Sequence, residues 1–182
     1  YTDGCAKEAL RHIVGVQFRN LATVGGSVFG RFGFSDVLTL LLVMDSYVEL
    51  YKGGIVPLAD FVNMPYDRDI LVRVIVKKTA AHYSYKSVRI SKTNFPVLTC
   101  AAALTQEGVQ AAVGARPAKA ALVKDAEQLA TLPMTAEKAQ AFAEYAAGLL
   151  PTETNPRGSA AYRTHLIKVL TARCLTELGG KA

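Results

Sequence analysis

From Thr79 onward three β-patterned stretches follow one another with no helix between them, and helical patterns come only after the last. That order confines the chain to an α+β layout and excludes strict strand–helix alternation. The stretches cover residues 81–91, 97–106 and 109–122, the third interrupted at 114–117 by Gly114 and Pro117. Helical patterns follow at 123–132, at 135–149 with Thr135 as N-cap, and at 159–178, closed by Gly179 and Gly180. The expected second unit, residues 79–182, is therefore a small antiparallel sheet with a bundle of three helices.

The first unit, residues 1–78, reads differently. Ala6, Ala9, Leu10 and Ile13 recur at helical spacing between Gly4 and Gly15, which predicts a helix ending near Val14. Ser35 and Asp36 form the cap of a short helix over 37–44. A strand at 47–51, a Lys52-Gly53-Gly54 turn and a return strand at 55–58 make a hairpin, followed by a helical turn at 58–63. Over 70–76, Ile70, Val72, Val74 and Val76 alternate with Leu71, Arg73 and Ile75, the pattern of a strand buried on both faces. A chain of 182 residues, 51% of them hydrophobic, has enough material for two such units sharing a core.

The formal charge of +6 raises the question of a nucleic-acid partner. Its cations are scattered, and the densest group, Lys77, Lys78, Lys86, Arg89 and Lys92, comes with no DNA- or RNA-binding signature, so no nucleic acid is expected. Cys5, Cys100 and Cys174 are odd in number and far apart, which argues against a disulfide framework and for a reducing compartment. His12, His82 and His165 are equally isolated, and no metal is expected. The longest nearly apolar run, 37–44, is too short to cross a bilayer, and the expectation is a cytoplasmic protein without a membrane segment. No nucleophile elbow, paired carboxylates, Rossmann fingerprint or Walker A loop is present, so neither a hydrolase nor a conventional nucleotide fold is supported.

One stretch has the chemistry of a phosphate contact. In Arg19-Asn20-Leu21-Ala22-Thr23-Val24-Gly25-Gly26-Ser27 a hydroxyl precedes two glycines whose bare backbone leaves N–H donors open to an anion. A Gly-Gly pair is also the ordinary chemistry of a turn. Asp36 likewise reads as a helix cap, Lys86 as a solvent-facing strand lysine, and Tyr83 and Tyr85 as packing residues.

The run from Ile13 through Arg19-Asn20 to Gly25-Gly26-Ser27 resembles the IGxxQIRNxATxGGN segment of the FAD-binding medium subunit of molybdenum hydroxylases, the xanthine dehydrogenase and carbon monoxide dehydrogenase family. Ser35-Asp36 resembles the family's SD or GD pair, and Gly158-Ser159-Ala160-Ala161-Tyr162-Arg163 resembles its GSxxYR helix start, so the resemblance spans the chain. It implies the C-terminal part of a PCMH-type FAD-binding domain followed by the flavoprotein C-terminal domain. It also implies non-covalent FAD and a heteromeric complex, in which a [2Fe-2S] subunit delivers electrons and a molybdopterin subunit handles substrate. NAD or another acceptor would be reduced.

Carried over residue by residue, Thr23, Gly25, Gly26 and Ser27 would meet the FAD diphosphate and Asp36 a hydroxyl of the nucleotide. Leu71 and Lys86 would lie beside the flavin, with Ile13 and Phe29 as weaker candidates. Ser27 stands where the family has Asn, and Arg31, Phe32 and Phe34 stand where relatives have small residues and proline; Arg31 would add a charge near the cofactor or lie on the surface. The family's N-terminal subdomain, with its first glycine-rich diphosphate loop, is expected upstream of Tyr1. On that expectation these residues alone bind FAD weakly or not at all. A chain of this fold without FAD, acting as a docking scaffold, is the alternative.

Overall fold

A four-stranded antiparallel sheet divides the molecule. It consists of β4 (His82–Val88), β5 (Leu98–Thr105), β6 (Gly108–Gly114) and β7 (Ala121–Lys124), hydrogen-bonded in that order. The structure, a computed structural model, describes residues 1–181. Antiparallel sheets commonly leave one face in water. Here Ala101, Ala102, Ala103, Ala111 and Ala112 are all fully buried, because helices cover both faces and their small side chains admit close approach.

Strand alternation sorts the residues into two cores. Tyr83, Tyr85, Ala101, Ala103 and Ala112 face one way, against α1 (Cys5–Arg11) and α4 (Asp36–Leu42). Leu98, Cys100, Ala102, Ala111 and Val113 face α6 (Ala136–Leu149) and α7 (Ala160–Gly179). Both of these helices start as expected. Thr135 Oγ1 accepts from Lys138 N and Ser159 Oγ from Tyr162 N, at 3.3 and 3.2 Å. The α7 face formed by Leu166, Ile167, Leu170, Cys174 and Leu178 is buried at helical spacing. Gly180 ends the helix with a right-handed backbone, so the closing glycines do not form a left-handed cap.

The helix expected over 123–132 is not formed. Ala121, Leu122, Val123 and Lys124 pair with β6 as β7, and the Asp125 carboxylate then accepts from Leu129 N and Ala130 N at 2.9 and 2.7 Å. That side chain supplies a local alternative to helical hydrogen bonds, and the second unit has two long helices where three were expected.

In the first unit, α2 (Val16–Leu21) and α3 (Val24–Phe29) fill the segment between α1 and α4. The hairpin forms as β1 (Ser46–Leu50) and β2 (Gly54–Pro57), α5 (Leu58–Asn63) follows, and β3 (Leu71–Val76) joins the other side of β1, giving the order β2-β1-β3. β3 is thus an edge strand. Val72 and the preceding Ile70 are exposed, contrary to the doubly buried strand expected, because an edge strand has no neighbour on one side to bring further cover. Two glycines join the units at close range. A Cβ on Gly33 would lie 2.0 Å from Ala118 O, and one on Gly114 would lie 2.4 Å from Thr39 Oγ1 and 2.5 Å from Thr99 Oγ1. Thr39 and Thr99, one from each unit, share a buried hydrogen bond of 3.0 Å.

Candidate functional site

The Gly-Gly pair lies in the first turn of α3. Thr23 is the N-cap. Its Oγ1 accepts from Gly26 N at 3.0 Å, and its carbonyl accepts from Ser27 N at 3.1 Å. The first N–H groups of any helix lack an intrahelical acceptor. Those of Val24 and Gly25 have no partner among the described residues, so α3 presents two adjacent free donors.

The two glycines differ in what requires them. A Cβ on Gly26 would crowd Thr23 Oγ1 at 3.0 Å and disturb the cap; a Cβ on Gly25 would make only an ordinary 3.6 Å contact with Leu71 Cδ2. Packing within the chain therefore does not demand glycine at 25. The same contact brings Leu71, at the start of β3, beside the loop.

Ser27 connects this turn to the next helix. Its hydroxyl shares a 2.8 Å hydrogen bond with Ser35 Oγ, which in turn accepts from Leu38 N at 3.1 Å as the N-cap of α4. Asp36 follows. It is 5% exposed, and its Oδ1 accepts from the Tyr85 hydroxyl at 2.5 Å and from Arg89 Nη2 in a buried ion pair. Burial, reinforced by the Asp36 charge, holds the Tyr85 phenol protonated well above its ordinary range. Asp36 Oδ1, the oxygen expected to meet a nucleotide hydroxyl, is thus already committed to side chains of β4 and the following loop; Oδ2 has no partner among the described residues.

Thr23, Gly25, Gly26, Ser27 and Leu71 lie together, with Asp36 buried behind them past the Ser27–Ser35 bond, and Lys86 stands apart from them. Tyr85 points toward Asp36, so the next residue on the strand points to the opposite face of the sheet. There Lys86 Nζ donates to Glu177 Oε2 on α7 at 2.8 Å, beside Ser84 Oγ at 3.0 Å from the same oxygen. Burial works against the Glu177 charge, but hydrogen bonds from Lys86, Lys181 and Ser84 outweigh it and bring the carboxyl down to about 2. Lys86 is a strut between β4 and α7, not the exposed strand lysine of the sequence reading.

Arg31 is neither beside open solvent nor on the surface. It is 3% exposed, with a left-handed backbone, φ 47°. Its Nη1 donates to Met64 O at 3.0 Å and its guanidinium lies 4.4 Å from the Phe61 ring centroid and 4.1 Å from that of Tyr66. It ties the α3–α4 loop to α5, near the half-buried Phe29. Sequence reasoning also missed Tyr85 and Arg89 as supports of Asp36. The only local signal was a basic residue in the strand-end loop, with nothing to show what it faced.

Ahead of the α3 turn the apolar side chains of α2 are uncovered. None of its residues is buried, and Leu21 is 86% exposed. Arg19 Nη1 donates to Ile13 O at 2.9 Å, tying α2 back to the end of the α1 segment. Among the described residues no group of His, Cys, Asp and Glu is arranged to hold a metal ion, the three cysteines are free and buried, and no helix is long and apolar enough to cross a membrane.

Residues 4–79 match the sequence profile described as the FAD binding domain in molybdopterin dehydrogenase, and residues 83–178 match that of the CO dehydrogenase flavoprotein C-terminal domain. The uncharacterised protein YgfM of Escherichia coli (strain K12) is 29% identical over 167 residues, 91% of this chain and 62% of YgfM. The chain therefore spans less than two thirds of the length of the curated relatives it matches. The structure resembles a chain of quinoline 2-oxidoreductase from Pseudomonas putida 86, with TM-score 0.79 and 21% identity, over 96% of this chain and 66% of that one. It also resembles a chain of carbon monoxide dehydrogenase from Hydrogenophaga pseudoflava that lacks the Mo-pyranopterin moiety of the molybdenum cofactor, with TM-score 0.84 and 20% identity, over 96% and 67%. At such identity the likeness is one of fold.

Proposed function

Since the chain belongs to the FAD-binding flavoproteins of the molybdenum hydroxylases, the family of the CO dehydrogenase flavoproteins, we propose that its α3 turn contributes one wall of the FAD site in an electron-transfer subunit. The observation that carries the proposal is the pair of unpartnered N–H groups at Val24 and Gly25, beside a glycine that the chain's own packing does not require. A diphosphate needs such donors and a backbone without a Cβ in the way.

In this reading Thr23 holds the turn by capping Gly26 N, and Val24 and Gly25 present their free N–H groups to the diphosphate. Ser27 fixes the turn to α4, and Leu71 supplies the apolar floor. Asp36 positions the start of α4 through Arg89 and Tyr85, leaving Oδ2 for a ligand hydroxyl. Lys86 acts at a distance, as a strut. The chemistry FAD supplies when bound is electron transfer, from [2Fe-2S] clusters of one partner subunit to NAD or another acceptor, with substrate chemistry on a molybdopterin partner. The reading divides the chain between residues 78 and 79.

The test is titration of the purified protein with FAD, alone and reconstituted with the family's N-terminal subdomain, followed through quenching of flavin fluorescence. Saturable quenching that falls when Gly25 is replaced supports the site; quenching unchanged by that replacement removes it. The scaffold reading, the same fold without FAD, is favoured by one observation, the uncovered apolar residues of α2. It predicts no saturable quenching together with stable association with the iron–sulfur or molybdenum subunit.

A further inference from the structure

Four loops from both units converge on a cavity of about 270 Å³ that shares no residue with the α3 turn. Its walls are apolar: Phe34 from the loop before α4, Pro96 from the β4–β5 loop, and Pro117 with Ala118 from the β6–β7 loop. The Phe34 ring stacks on Phe32 at 5.2 Å, 9° between planes, and meets Phe95 at 4.5 Å. Its rim carries Asn155 and Arg157.

The polar groups here are donors. Asn155 Oδ1 is already occupied, accepting from Arg157 N at 2.9 Å and from Arg163 Nη2 at 2.6 Å, which leaves its amide N–H₂ as the free end. The Arg157 guanidinium rests 5.1 Å from the Phe95 ring centroid and forms no ion pair among the described residues. Arg116, between the lining residues Ala115 and Pro117, is buried with Nε unpartnered. Arg163, wholly buried, has carbonyls and an amide for partners but no carboxylate; burial and the neighbouring Arg157 charge both push its pKa down. The acid that acts on Arg116, Glu153, does so from beyond ion-pair distance. Of these guanidinium groups Arg157 alone lines the cavity, while Arg116 donates to Pro151 O at 2.8 Å and Arg163 is committed to carbonyls and Asn155; the cavity's charged group is thus a cation without an ion-paired carboxylate among the described residues.

The cavity is held open by backbone contacts rather than by mobile side chains. Ala115 N donates to Gly33 O at 2.5 Å, and Gly33 and Ala118 touch so closely that only glycine fits at 33. Preorganised walls reduce the ordering cost of binding. The volume is close to the lower end for small-molecule sites, which suits one or two fused rings.

We propose that this cavity binds a small planar aromatic carboxylate, its ring between Phe34 and the proline walls and its carboxylate on Arg157 and the Asn155 amide. The inference does not rest on FAD binding, and its test needs no FAD. The probe is 2-naphthoate, titrated into the full 182-residue chain and followed by amide shifts in NMR, with 2-naphthylmethanol as an uncharged control of similar shape. Saturable one-to-one binding is expected, with the largest shifts at Gly33, Phe34, Ala118 and Arg157. Loss of the charge-assisted contact should weaken binding by about tenfold or more, both in the alcohol and in Arg157→Gln. The Arg157 side chain makes no hydrogen bond among the described residues, so that variant keeps the fold; Phe34→Leu provides a second, ring-side test with weaker binding expected. Equal binding of acid and alcohol, undiminished binding by Arg157→Gln, shifts confined to Phe18, Leu21 and Val24, or no saturable binding would each overturn the proposal.

Discussion

Replacing Arg89 with leucine should destabilise the protein more than any surface substitution, because it strands a carboxylate. Asp36 is 5% exposed and the Arg89 side chain 7%, so water cannot take over from the guanidinium when it is removed. Tyr85 remains as one neutral donor to Oδ1. Removing one partner of a buried pair costs about 3–5 kcal/mol, most of it the penalty for the charge left behind. For a chain of this size each kcal/mol moves the midpoint by roughly 2–4 °C, so Arg89→Leu should lower Tm by about 6–20 °C in a circular-dichroism melt. The double variant Asp36→Asn with Arg89→Leu removes the stranded charge and should recover about half of that loss or more. If Arg89→Leu costs less than about 1 kcal/mol, or if the two substitutions simply add, the pair is solvated in solution and the reasoning fails.

Gly25→Ala should separate folding from binding. Its Cβ makes an ordinary contact with Leu71, and alanine favours helix by up to about 1 kcal/mol. Tm should hold or rise while FAD quenching weakens by about tenfold or more; a fall in both would assign Gly25 to folding. Gly33→Ala places a Cβ 2.0 Å from Ala118 O and should cost at least about 1–3 kcal/mol through forced backbone displacement, read from the urea midpoint. Glu177 has its carboxyl brought down to about 2 from 4.5, so its contribution is complete above about pH 4.5 and disappears as pH falls toward 2. Wild type should exceed Glu177→Gln in urea midpoint at pH 7 and converge with it near pH 2. Partial exposure of the carboxylate keeps that gap small, and a gap that widens on acidification would contradict the sign.

The readable parts of the fold were those whose cause is local. Thr135 and Ser35 announce helix starts because a cap acts within three residues, and both make the expected bond. The hairpin turn and the strands of the second unit follow from alternation alone. Residues 123–132 misled because an apolar run of that length suits helix or strand, and the choice was made by pairing with β6. α2 was missed because it buries no face within the chain.

By itself the sequence determined an α+β chain, its long helices and their caps, and the Thr-x-Gly-Gly-Ser turn with its family resemblance. Only the tertiary structure decided what each candidate side chain does. Asp36 meets Tyr85 and Arg89 from 49 and 53 residues away, and Lys86 meets Glu177 from 91. Arg31 turns inward to the carbonyls of α5 and Met64, and Phe34, Pro96, Pro117 and Arg157 meet at one cavity from four separate loops. Periodicity and capping act over a few residues and leave a trace in the sequence; the partner of a charge is set by which elements pack together, and spacing along the chain carries no record of it.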